Sequence, residues 1–100
     1  MKLKLNALIK TIASSTTPEP LSSVRNASGF IKIRALSTNT GVVRIGDSAT
    51  QAFPLAAGEE LPLSEIMTAS GGADELDLAD IYCDVDVNGE GVAILIAKRP

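Results

Sequence analysis

The residues best suited to chemistry are carboxylates, and the most suggestive run begins at Asp84. The letters DVDVNG over residues 84–89 match the start of an EF-hand calcium loop, in which oxygen ligands alternate and a glycine permits a sharp turn. The match fails at the twelfth position, where Leu95 stands in place of a bidentate glutamate. The flanks alternate with a period of two, which indicates strands rather than helices. We predict a β-hairpin with outward carboxylates and no metal site, with weak calcium binding by Asp84, Asp86 and Glu90 left open.

A second acidic run could serve acid–base chemistry only if one of its carboxyl groups lay in a cleft that raised its pKa. The run comprises Asp74, Glu75, Asp77 and Asp80, and it follows a glycine pair at residues 71–72. No candidate partner accompanies it, so we predict a solvated acidic edge or a docking patch for a basic partner.

Cys83 falls on the apolar face of a predicted strand, which is typical of an inert buried thiol.

Composition excludes most other chemistry. The 100 residues include no His, no Trp, one Cys and three aromatic side chains, and the formal charge is −3. Without His there is no imidazole base and no Ser-His-Asp triad, and one Cys cannot form an intramolecular disulfide or a multi-cysteine zinc site. The acidic balance and the scarcity of aromatics argue against a nucleic-acid partner. We therefore predict a protein that is not an enzyme and that has no cofactor.

The small net charge hides a division between the halves of the chain. The first fifty residues hold seven basic and two acidic side chains, a formal charge of +5, whereas the last fifty hold two basic and ten acidic ones, a charge of −8. Basic and acidic strands that interleave in one fold would neutralise each other. Alternatively, the two signs lie on different surfaces and guide the packing of copies or of a partner.

Period-two alternation predicts an all-β domain over residues 1–100, an antiparallel β-sandwich or jelly-roll-like fold with about seven to eight short strands and little helix. The first predicted strand has Leu3, Leu5, Ala7 and Ile9 on one face. The other predicted elements are a hairpin of strands 30–36 and 42–45, short strands at 53–55 and 60–66, a helical turn at 76–80, and a hairpin of strands 81–87 and 92–97 around Asn88-Gly89. Strand 92–97 is apolar on both faces, so it is central or lies in a subunit contact.

Residues 14–23 are polar and contain Pro18 and Pro20, which predicts a loop or arm rather than a central strand. Lys4, Asn6 and Lys10 interrupt the apolar stretch that a signal peptide requires, and no segment has the length of a membrane span. We therefore expect no membrane partner.

Four short runs carry a resemblance to a known class of proteins. They are IRAL at 33–36, NTGVVRIGDS at 39–48, LAAGEEL at 55–61 and DLADIY at 77–82. In that order they resemble small β-sandwich virion proteins of tailed bacteriophages, some of which coat capsids as decoration (cement) proteins with jelly-roll-like folds. The resemblance covers about residues 21–97. It implies a virion structural protein on the capsid surface, made in the host cytoplasm, that forms a homotrimer or homodimer and clamps adjoining major capsid proteins.

The expected partner contacts lie in the amino-terminal segment and on the acidic edge. They are Lys2, Lys4, Lys10, Pro18, Pro20, Asp74, Glu75 and Asp77. Two alternatives remain: another virion part, such as a head–tail connector, tail or fibre-base subunit, and a carbohydrate- or host-binding module. The second is disfavoured because only Tyr82 is expected to project its ring from a polar strand face.

Overall fold

Two four-stranded antiparallel sheets form the fold in a computed structural model of the chain, which describes residues 4–28, 30–62 and 76–98. The strands are β1 (Lys4–Thr11), β2 (Glu19–Pro20), β3 (Ala27–Ser28), β4 (Ile31–Ala35), β5 (Val43–Gly46), β6 (Phe53–Leu55), β7 (Glu60–Pro62), β8 (Leu76–Asp77), β9 (Tyr82–Val85) and β10 (Gly91–Lys98). A 3-10 turn, Leu78–Asp80, follows β8. The all-β prediction is confirmed. Among the described residues, no helix has the length and apolar character needed to cross a membrane.

Sheet A has the strand order β1-β10-β4-β7, and sheet B has the order β2-β9-β5-β6. A separate short pair joins β3 to β8. With that pair set aside, the first, eighth, third and sixth strands in chain order form sheet A, and the second, seventh, fourth and fifth form sheet B. This is the strand order of a jelly roll, an eight-stranded double sheet that places consecutive strands mostly in opposite sheets.

Both predicted hairpins are wrong for the same reason. Strand β4 lies in sheet A and β5 in sheet B, and β9 and β10 are likewise divided. The chain does reverse at Asn88-Gly89, and Gly89 has the positive φ of a turn glycine, 85°. The returning strand nevertheless packs across the core instead of pairing beside its predecessor. A local turn signal specifies the reversal but not the sheet in which the next strand finds its hydrogen bonds.

The core lies between the inner faces of the two sheets. Alternate residues of β4 and β10 point inward, and they meet inward-facing residues of β5, β6 and β9 and of the loops. The buried apolar set is Ile12, Leu21, Ile31, Ile33, Ala35, Val43, Ile45, Leu55, Leu78, Ile81, Cys83, Val85, Val92, Ile94 and Ile96. Burial of these aliphatic side chains is the main source of stability in a chain with so few aromatics. The predicted strand 92–97 is confirmed as central, because β10 lies between β1 and β4.

Residues 14–23 form a loop that hydrogen bonds hold against the rest of the fold, rather than a free arm. The N–H of Ser15 donates to Asn88 Oδ1 at 2.7 Å, and the N–H of Thr16 donates to Asp84 Oδ1 at 3.0 Å. Farther along, the N–H of the buried Leu21 donates to the Ile81 carbonyl at 2.8 Å. The two-residue strand β2 lies at the edge of sheet B, in keeping with the prediction that this segment is not a central strand.

The charged strands interleave. Of the six ion pairs among the described residues, five join a base from the first half of the chain to an acid from the second. They are Arg25–Asp77, Arg25–Asp80, Lys32–Glu60, Arg34–Glu60 and Arg44–Asp86. Such exposed pairs each add little to stability, but together they favour mutual neutralisation within the fold over two surfaces of opposite sign.

Candidate interaction surface

The outer face of sheet A carries a stripe of apolar side chains that the core does not use. In an antiparallel ladder, residues directly opposite each other point to the same face. The register of β1 on β10 sets Leu5 opposite Ala97, Ala7 opposite Leu95, and Ile9 opposite Ala93. We call this set of residues, Leu5, Ala7, Ile9, Ala93, Leu95 and Ala97, the outer apolar face.

The outward direction of β1 follows from its pairing with β10. Val92, Ile94 and Ile96 of β10 are buried in the core, so the even-numbered residues of β1 opposite them also face inward. The predicted apolar face of the first strand, which includes Leu5 and Ile9, therefore points to solvent. Leu5 is 64% exposed and Ile9 is 72% exposed. Together with the half-buried Ala93, Leu95 and Ala97 on β10, they form one apolar patch, and patches of this kind are typical of interaction sites.

A charged rim borders the outer apolar face on the side of β4 and β7. The register continues from Ala93 to Arg34 and on to Glu60. Glu60 is paired with both Arg34 and Lys32, and its distance to Lys32 Nζ is 3.3 Å. One carboxylate thus faces two cations, which leaves the rim with an excess positive charge.

An open groove of about 510 Å³ runs between the outer apolar face and this rim. Its apolar side includes Ala7, Ile9 and Leu95, and its polar side includes Lys32 and Arg34. The groove suits a protein surface that offers an apolar side chain flanked by a carboxylate.

The predicted contacts near the amino terminus lie at two sheet edges. Lys4 is exposed on β1, whereas Lys10 of the same strand forms an ion pair with Glu19 of β2, at 2.9 Å. Pro18 and Pro20 are half-buried beside the edge of sheet B. Lys4 and Lys10 thus share a strand with the outer apolar face but alternate with it.

The Asp77 carboxylate is bound by groups of its own chain. Its Oδ1 accepts the N–H groups of Asn26 and Ala79, each at 2.9 Å, and Arg25 lies 3.4 Å from its other oxygen. These backbone hydrogen bonds, and then the Arg25 charge, hold the pKa of Asp77 below its ordinary value. Asp77 caps the 3-10 turn. Lys2, Asp74 and Glu75 lie outside the described residues.

The carboxylates of the calcium-like run hold different parts of the fold. Asp84 accepts the N–H of Thr16, Asp86 pairs with Arg44, and Glu90 binds a neighbouring loop. Across residues 4–28, 30–62 and 76–98, no three acidic, His or Cys side chains are grouped as a metal site would require. The carboxylates thus point to three separate protein partners and do not converge on one point.

The hydrogen bonds of Glu90 predict that the stability of the fold decreases in acid. Its carboxylate accepts the N–H of Thr40 at 2.6 Å, the N–H of Gly41 at 2.9 Å and the Thr40 hydroxyl at 3.0 Å, and these bonds lower its pKa from the ordinary 4.5. A carboxyl group with a lowered folded-state pKa stabilises the fold above its unfolded-state pKa, and this contribution is lost as the pH falls through the folded-state value. We expect the melting temperature, followed by circular dichroism, to decrease as the pH falls from neutral to below the ordinary pKa of 4.5. The decrease should be smaller for Glu90→Gln, and an equal decrease would show that Glu90 is not responsible.

Cys83 lies on the core face of β9 and is fully buried. Burial, and to a lesser extent the charge of Asp84, raise the pKa of the thiol to about 12. A thiol in this state is a poor nucleophile at neutral pH, as the sequence indicated.

Two aromatic rings are more exposed than the sequence predicted. Phe53, on the edge strand β6, is 63% exposed, and Phe30, next to β4, is 37% exposed. The expectation that Tyr82 alone would present a ring is therefore wrong. Among the strands that the structure describes, β6 is the last of sheet B, which places Phe53 at its edge.

Comparison of the chain with protein families, with curated proteins and with solved structures returns no match. The sequence indicated the outer apolar face only in part. Its signal was the run VAILIA over residues 92–97, apolar on both faces, which indicated either a central strand or a subunit contact. In the structure the strand is central, and the side chains of its second face are only half-buried.

Proposed function

We propose that this chain is a virion structural protein of the capsid-decoration type. It self-associates and clamps adjoining major capsid proteins, and it binds them through the outer apolar face. The observation that carries the proposal is this apolar stripe, with Leu5 and Ile9 more than half exposed, beside the rim of Lys32, Arg34 and Glu60.

The physical argument rests on what a decoration protein needs. It requires a rigid body and a surface with an apolar centre and a polar rim, and it requires no reacting groups. Two packed sheets supply the rigid body. The jelly-roll strand order and the phage-like sequence runs point the same way, although a fold by itself does not define a function.

Co-sedimentation with shells of the major capsid protein tests the proposal. The wild-type chain should pellet with the shells. The double variant Leu5→Asp/Ile9→Asp places two charges in the centre of the contact, so its affinity should fall by at least about tenfold. The bound fraction is measured on gels of the pellet and the supernatant.

The matched control is Val24→Asp/Val87→Asp, which changes two exposed valines, 68% and 40% exposed, outside the outer apolar face. It should bind like the wild type. A wild-type chain that stays in the supernatant, or a Leu5→Asp/Ile9→Asp variant that binds as well as the control, contradicts the proposal. Immunolabelling of intact particles distinguishes a capsid site from a connector, tail or fibre-base site.

A carbohydrate-binding role is the second candidate, and exposed Phe53 is the observation in its favour. Aromatic faces stack on sugar rings, and Phe53 is 63% exposed. In a glycan-binding assay, this role predicts a signal that Phe53→Ala abolishes. Binding to shells that depends on Leu5 and Ile9 but not on Phe53 favours the decoration role.

A further inference from the structure

One edge of the sandwich differs from the other three. The edge strands are β1 and β7 of sheet A and β2 and β6 of sheet B. Each of the strands β2, β6 and β7 contains a proline, Pro20, Pro54 and Pro62 respectively, and β2 and β6 are only two and three residues long. Prolines and short length are the usual means by which proteins prevent edge-to-edge pairing. Strand β1 has eight described residues and no proline, and within residues 4–28, 30–62 and 76–98 no strand pairs with its outer side, so we call it the open edge.

The backbone groups that face this open edge can be identified. The Gly91 carbonyl accepts from Leu36 N–H at 3.1 Å, and Ala97 N–H donates to the Phe30 carbonyl at 3.4 Å, so the odd-numbered residues of β10 bond towards β4. Hydrogen bonding alternates along an antiparallel strand, so the even-numbered residues of β10 bond to β1. Their partners on β1 are also even-numbered. The N–H and carbonyl groups of Leu5, Ala7, Ile9 and Thr11 therefore point away from the sheet.

We propose that β1 pairs antiparallel with β1 of a second copy of this chain, about a twofold axis that passes beside Leu8. The two A sheets then form one continuous sheet. The inference rests on the self-association in the proposed function, whose partner strand it names, but it does not depend on binding to shells.

The orientation of the outer apolar faces and the charges on β1 select the register of the β1–β1 pairing. A twofold axis perpendicular to the sheet sets residues of equal parity opposite each other, because both outer faces must lie on one side. Centring on Ala7 would set Lys4 directly opposite Lys10 of the other copy, which places like charges together. Centring on Leu8 avoids this, since Lys10 then lies opposite Asn6 while Glu19 balances its charge.

This register also provides hydrogen-bond partners for the free N–H and carbonyl groups of the open edge. Leu5 pairs with Thr11 of the other copy and Ala7 with Ile9, and these odd-numbered pairs are the ones whose free N–H and carbonyl groups can meet. Leu8, 38% exposed in one chain, packs against its symmetry mate. The two outer apolar faces become neighbours and form one wider face, as a clamp on two capsid proteins requires.

Cross-linking through a cysteine at position 8 tests the register. Leu8 opposes Leu8 as a non-hydrogen-bonded pair, whose Cα atoms lie about 4.5 Å apart, within disulfide range. With diamide as oxidant, Leu8→Cys should yield a dimer on a non-reducing gel. The matched variant Ala7→Cys should yield at least about fivefold less, since diagonal neighbours are about 7–8 Å apart. The wild type should stay monomeric on this gel, because Cys83 is buried. If Ala7→Cys yields more dimer than Leu8→Cys, the proposed register is wrong.

Sedimentation velocity of Ala7→Pro tests the pairing itself. The Ala7 N–H faces the open edge, so a proline there leaves the β1–β10 bonds intact but removes a donor from each copy. The wild type should dimerise, and Ala7→Pro should dissociate at a concentration at least about tenfold higher while its melting temperature as a monomer is retained. A monomeric wild type, or an Ala7→Pro dimer of unchanged affinity, overturns the inference. If such a monomer still pellets with shells, the pairing fails while the binding role stands.

Discussion

The Gly91→Ala variant should lose about 3 kcal/mol or more of its unfolding free energy, a large effect for a single methyl group. Gly91 begins β10 opposite Thr11, and an added Cβ would lie 1.9 Å from the Lys10 carbonyl oxygen and 2.8 Å from the Thr11 Cα. These are backbone atoms, so the clash can be relieved only if β1 moves away from β10. Urea unfolding followed by far-ultraviolet circular dichroism measures the loss, since the chain has no Trp.

Gly89→Ala is the matched control. Gly89 lies two residues earlier, with a φ of 85°, and an added Cβ would have no neighbour within 4 Å. Its cost is confined to the left-handed backbone conformation, about 1–2 kcal/mol. If both variants lose the same free energy, the close approach of β10 to β1 is not what requires glycine at position 91.

Ile33→Ala should destabilise the fold by about 2–5 kcal/mol, because it leaves a cavity at the centre of sheet A. Ile33 is fully buried on β4, opposite Ile94 on one side and Leu61 on the other. In a domain of this length each kcal/mol lowers the melting temperature by about 4–8 °C, so a decrease of at least about 8 °C is expected. Thermal unfolding at low micromolar concentration, which limits self-association, measures it.

Ile9→Ala makes the same chemical change in the same sheet, at a side chain that is 72% exposed. It should cost about 0.5 kcal/mol or less, the usual range for surface substitutions. The contrast between Ile33 and Ile9 therefore reports which face of sheet A is the core. A loss at Ile9 equal to that at Ile33 would mean that Ile9 is buried, and the outer apolar face would not exist as described.

Alternation in the sequence was enough to predict the strands and the fold class, because each buried residue of β4, β5 and β9 is followed by a more exposed one. It was not enough to predict the pairing. The turn at Asn88-Gly89 has the same local signal whether β10 returns beside β9 or crosses to the other sheet. The crossing depends on long-range hydrogen bonds to β1 and β4, which lie some 55 to 90 residues earlier in the chain.

The sequence indicated the outer apolar face only at the run where apolar residues stop alternating with polar ones. The run at residues 92–97 marked β10 as unusual, whereas Leu5 and Ile9 resembled an ordinary core face. Their outward direction follows from the register on β10, a tertiary property that period-two counting does not contain. The prolines at positions 20, 54 and 62 are present in the sequence, but only the sheet order shows that they lie on three of the four edge strands, in contrast with β1.

A density map of the virion that carries this chain, at a resolution that separates strands, tests the central claim most directly. The proposed function predicts the chain on the capsid exterior, with Leu5 and Ile9 of sheet A against the major capsid protein. Density that places sheet B against the capsid, or particles that lack the chain, would contradict it.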